Sequence, residues 1–130
     1  MARLWFAVLA FVCTTACGGT PASPSVAGQW GGDHITLTVE DAASHVELDC
    51  AHGDFTGDIS SSSFSLAGTF VREHGGPIRD DETADSHPAL YSGAVNGSSM
   101  TLMLRLTDSN EIVGTFTLTR GAAGHIVKCL

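Results

Sequence analysis

The chain has 130 residues, which leaves room for one domain with one modest core. Six lysines and arginines stand against 14 aspartates and glutamates, a formal net charge of −8 at pH 7. A surface of that sign repels nucleic acid and anionic lipid headgroups and disfavours both as partners.

The chain opens with a short positive stretch, "MAR", then nine apolar residues, "LWFAVLAFV", then "CTTAC". This is the grammar of an export signal over residues 1–16, too short for the roughly 20 residues with which a helix crosses a bilayer. The following "GGTPASPSVAG" is rich in Gly, Pro, Ser and Ala and predicts a flexible tether over 17–28. Small residues ahead of Cys17, with two glycines behind it, resemble the lipobox of bacterial lipoproteins, with Thr14 where leucine is usual. That resemblance implies a lipidated Cys17 as the first mature residue, a palmitate-type anchor, and a place in the bacterial cell envelope on the periplasmic face or outer surface. Secretion after cleavage nearby is the alternative.

Such processing removes Cys13 and commits Cys17 to lipid. Cys50 and Cys129 are then left to pair in an oxidising compartment. A loop of that length stabilises by about 4 kcal/mol on the chain-entropy account. From Gly18 onward five cations face 14 acids, a formal charge of −9.

From Trp30 onward, period-two alternation recurs between turn residues and predicts strands. "HITLTVE" sets Ile35, Leu37 and Val39 on one face, and "HVELDC" does the same with Val46, Leu48 and Cys50. "DFTGDIS" and "FSLAGTFVRE" follow, then a long polar stretch, "ALYSGAV", and the turn "NGSS". "MTLMLRLT" alternates Met100, Leu102, Leu104 and Leu106 with polar neighbours. "EIVGTFTLTR" aligns Ile112, Gly114, Phe116 and Leu118, and "HIVKCL" supplies the last strand. About eight short strands with one apolar face predict an all-β fold over 29–130. The simplest form is an eight-stranded antiparallel up-and-down barrel, with a β-sandwich as the alternative.

"GQW" (Gly28 to Trp30) resembles the G-x-W signature of lipocalins and their calycin relatives. The resemblance implies a calycin-like barrel in which Trp30 plugs one end and a late arginine packs over it. Arg120 is the nearest candidate, although the strand count carries it to the other end. "WGGDHI", "DCAHG" and "REHGGP" also resemble phrases of small uncharacterised bacterial envelope proteins, which implies no activity.

Alternate turns of a meander return to the same end. Counted from "WGGDH", this gathers His34, His52, His74 and His87 on one rim with Asp33, Asp54 and Glu73, and brings Cys50 and Cys129 there too. The connection from Glu73 to His87 is long enough to be a lid or a disordered loop. Four readings of the rim follow. A zinc or copper site would use neutral imidazoles and a carboxylate, but none of the spacings is a recognised ligand motif. Catalysis would need a nucleophile or water beside a histidine–carboxylate pair, and sequence neighbours such as Asp33–His34 point to opposite faces of a strand. A small apolar ligand could enter the barrel, unless Phe64, Phe70, Met100, Leu102, Leu104 and Phe116 fill it. The fourth reading is a scaffold whose partner is another protein. The expectation is a non-catalytic binding or scaffold role at the envelope, without a required cofactor, and with the histidine rim as the site.

Overall fold

The computed structural model describes Gly18, residues 25–59 and residues 62–130. The predicted signal peptide, Cys17 and most of the tether lie outside the described residues. Alternating apolar and polar side chains cannot bury both faces of a strand, so each strand here turns one face inward. The strands are β1 (Gly28–Gly32), β2 (Ile35–Glu40), β3 (Ala43–Leu48), β4 (Ala51–Thr56), β5 (Ser63–Arg72), β6 (Asp85–Asn96), β7 (Ser99–Leu106) and β8 (Ile112–Arg120). They pair antiparallel in chain order, and β8 returns to β1 to close an up-and-down barrel. The sandwich alternative is thereby excluded.

Four of the connections are two-residue reversals. Left-handed backbone at His34, Asp41, Cys50 and Gly97 turns the chain at these points. The interior is packed with apolar side chains. Trp30, Ile35, Leu37, Val46, Tyr91, Met100, Leu102, Leu104 and Leu118 are wholly excluded from solvent. Phe55 stacks on Tyr91 with ring centroids 4.5 Å apart. The Tyr91 hydroxyl donates to the carbonyl of Thr69 at 2.6 Å, so its polar tip is satisfied, and burial pushes its pKa far up. Gly53 on β4 makes that arrangement fit, because a Cβ there would run into the tyrosine oxygen.

Several predicted elements shift. "GQWGG" forms its own strand, and the chain reverses at Asp33–His34 instead of continuing as one long first strand. "AHGDFT" is β4, so His52 and Asp54 lie on a strand; the turn before it is Asp49–Cys50. Gly57, within the predicted strand "DFTGDIS", falls beyond the end of β4. β6 begins at Asp85, which puts His87 on a strand and shortens the connection to residues 73–84. Ile112, expected inward, is exposed while Val113 packs on the core, because the β7–β8 register slips between Leu104 and Arg105. "HIVKCL" is not a strand. β8 has already taken the free edge of β1, so the last ten residues find no ladder to join.

Trp30 and Arg120 also stand differently from the strand count. Trp30 pairs with Arg120 across the β1–β8 seam, and the guanidinium lies over the indole with its Cζ 4.6 Å from the ring centroid. The indole Nε1–H donates to Val26 O at 2.9 Å and Arg120 Nη1 donates to Ser25 O at 2.6 Å. The extra hairpin at Asp33–His34 is the reason they share an end: it sets Trp30 at the end where β8 finishes, away from the histidines. Trp30→Ala is expected to cost about 3–5 kcal/mol in urea unfolding, whereas Ile112→Ala should stay within about 0.5 kcal/mol of the parent. Equal losses would contradict this assignment of inside and outside.

Candidate functional site

The reversals at Asp33–His34 and Asp49–Cys50, the 73–84 connection and the 107–111 connection all lie at one end of the barrel. The last ten residues reach that end as a strap. They cross β1 at Gly31, where a Cβ would collide with the backbone of Ala122 to Gly124. His125 then takes a parallel bridge beside Asp33: His34 N–H donates to His125 O at 2.8 Å, and His125 N–H to Gly32 O at 3.0 Å. At the rim the strap is fastened three ways. Cys129 is joined to Cys50, Cα to Cα 5.0 Å. Val127 N–H donates to Asp49 Oδ1 at 2.7 Å. Lys128 Nζ reaches Glu47 at 2.5 Å, Glu73 at 2.9 Å and the carbonyl of Ala51 at 3.2 Å.

The predicted histidines do share this end, but they do not converge on a common point. Each stands against its own carboxylate. His34 Nδ1 lies 2.5 Å from Asp49, and His52 Nδ1 lies 3.0 Å from Glu73. His74 is held by Glu82 and by the carbonyl of Gly75 at 2.9 Å. His87 sits between Asp85 and Asp108, each at 2.8 Å. Asp33 faces His125 at 3.4 Å. Asp54, expected on the rim, lies on the barrel wall, where cross-strand register sets it opposite His45. Trp30 is at the far end.

Sequence reasoning passed over His45, His125 and Lys128. His45 lies between Asp54 and Glu47, both at 2.7 Å. Glu47 leads on to Lys128, Lys128 to Glu73, and Glu73 to His52, so a continuous row of polar contacts runs along the outside of β3, β4 and β5 into the strap. The signal for His45 was its alternation with Val46 on one strand. Its partner could be found only from the register.

Carboxylates and carbonyls only accept hydrogen bonds, so a ring with both nitrogens against such groups must donate twice. His45, His74 and His87 are in that position. Glu47 and Asp54 raise the pKa of His45; the Gly75 carbonyl and Glu82 raise that of His74; Asp108, then Asp85, raise that of His87. An imidazolium held in this way has no lone pair for a metal and takes up no proton as a base, so these three act as fixed cations. Among the described residues no group of three or more His, Cys, Asp or Glu is arranged to hold a metal ion. The zinc or copper expectation therefore has no preassembled ligand set there.

Two hollows mark this end. A groove of about 290 Å³ runs beneath the 73–84 connection between His52, Val71, His74 and Ile78. A smaller hollow of about 130 Å³ lies under His34 and Asp49 against Leu48, Phe70 and Phe116. A third, of about 420 Å³, lies against Thr38, Glu40, His45 and Asp54. No family model matches the chain, and no curated protein or solved structure matches it.

The ion pairs give stability a pH window. His45 is raised above 6.5, so its contribution is full below 6.5 and is lost as pH climbs through the raised folded value. For Glu47, burial pushes the pKa up, but hydrogen bonds from Lys128 and His45 outweigh it and hold the group below 4.5. Its contribution is present above 4.5 and is lost as pH falls through the lowered value. The thermal midpoint should therefore peak between about 4.5 and 6.5 and decline on both sides. Replacing His45, His74 and His87 together with glutamine should flatten the alkaline decline; an unchanged alkaline limb in thermal unfolding would contradict it.

Proposed function

We propose that this chain is an exported, lipid-anchored, non-catalytic binding scaffold of calycin-like architecture. In this reading Cys17 holds it at the bacterial cell envelope, and its histidine rim engages a protein partner. The observation that carries the reading is the contrast between a filled interior and a rim lined with histidine–carboxylate pairs. Trp30 lying beneath Arg120 at the opposite end supports the calycin-like assignment, since that pairing is what the G-x-W resemblance implies.

Two further features favour a protein partner over a small apolar ligand inside the barrel. The hollow that touches the inward-facing Leu48, Phe70 and Phe116 measures about 130 Å³, against roughly 300–1,000 Å³ for ordinary ligand pockets. β1 also starts at the end away from the rim, which leaves the rim clear of the point where the chain enters the barrel. The doubly occupied rings of His45, His74 and His87 support a binding role over proton transfer at those three positions.

Intact mass of the chain recovered from bacterial membranes tests the anchor. The expected species begins at Cys17, carries a diacylglyceryl and acyl mass, and disappears in Cys17→Ala. A soluble exported species without added lipid would overturn the anchored reading. Titration with a long-chain fatty acid should give no stoichiometric uptake, and tight one-to-one uptake would restore the interior ligand.

A further inference from the structure

We infer that the groove beneath the 73–84 connection docks a basic segment of a partner protein that carries an apolar side chain beside its cations. The inference rests on the scaffold reading above and names the chemistry of the partner.

The first observation is where apolar surface is left uncovered. The large exposed hydrophobic side chains of the described residues are Ile78, Ile112, Val127 and Leu130. All four belong to the histidine end. Ile78 lies in the 73–84 connection, and Ile112 follows the 107–111 connection. Val127 is bonded to Asp49, and the Leu130 backbone packs where a Cβ on Gly75 would stand. The opposite end hides its large side chain, Trp30, under Arg120. Apolar surface gathered at one end of a small soluble barrel marks a contact face.

The groove supplies shape and charge. Ile78, 84% exposed, and Val71 line it beside Glu73, Glu82 and Asp85. Arg72, the cation on its wall, is taken up by both carboxylate oxygens of Glu111 at 3.0 Å. Residues 73–85 carry five acids against Arg79, and protonated His74 and His87 leave that balance negative. Charge complementarity selects a cationic occupant. The same charge argues against the other occupants: two copies at −9 each repel, and so do anionic lipid headgroups.

The purified exported chain should be titrated with a short synthetic peptide of alternating lysine and leucine, and binding followed by chemical shifts of the Ile78 and Ala84 amides. Saturable binding is expected, weakening about tenfold or more on going from low salt to high salt. Ile78→Ser and Asp81→Lys alter exposed side chains and should keep the fold while weakening binding to a similar degree. The glutamate-for-lysine peptide should not bind. Equal binding of that acidic peptide, or no effect of either substitution, would overturn the inference. Self-association in sedimentation without peptide, abolished by Ile78→Ser, would also overturn it and assign the face to a second copy. If Cys17 carries its lipid and the lysine–leucine peptide fails to bind, the partner class falls while the anchored scaffold stands.

Discussion

A sheet of eight strands has two edges with unpaired backbone groups, and in this chain the two edges meet. The seam is short: Trp30 faces Arg120 and Gly31 faces Thr119. Two pairs of residues would be a weak join alone. It is reinforced from inside by the indole beneath the Arg120 guanidinium. From outside it is covered by the Ala122 to Gly124 segment lying on Gly31. Everything else about the rim depends on this closure. Because β8 occupies the edge of β1, the residues after Arg120 cannot extend the sheet. They fold back along the outside and deliver His125, Val127, Lys128 and Cys129 to the far end.

That delivery organises the electrostatics. Lys128 enters between Glu47 and Glu73, two carboxylates that would otherwise repel across β3, β4 and β5. With the lysine in place, His45 and His52 become the ends of one hydrogen-bonded row. The disulfide holds the strap against the Asp49–Cys50 reversal, and Asp49 accepts both from Val127 and from His34. His45, His74 and His87 thus serve the structure first, as cations held among acids. The binding face is what remains around them: uncovered apolar side chains and an excess of negative charge.

Much of the barrel was legible in the sequence because burial on one face imposes alternation, and Ile35, Leu37, Met100, Leu102 and Leu104 all obey it. The sharing of one end by the histidine-bearing segments followed from that pattern, and the number eight held because "GQWGG" took the place of "HIVKCL". Three things were hidden. The Asp33–His34 reversal uses a left-handed histidine in place of glycine, so "GGDHI" carries no strong hairpin signal. "HIVKCL" alternates like a strand, and its fate was decided by an edge already taken, which no local pattern records. The partners of His45 and His52 depend on which residues stand opposite across β3 and β4, and register is set by the whole fold. The expected gathering of histidines about one point failed for the same reason: a shared rim does not specify side-chain direction.

The central claim is that His45, His74 and His87 are separate, carboxylate-held cations and not a shared ligand cluster. Nitrogen-15 NMR of the imidazole rings across the pH range tests it most directly. His45, His74 and His87 should keep both ring nitrogens protonated as pH rises past the ordinary 6.5. Loss of those protons near 6.5, or one stoichiometric zinc ion shifting several of these rings together, would contradict the account.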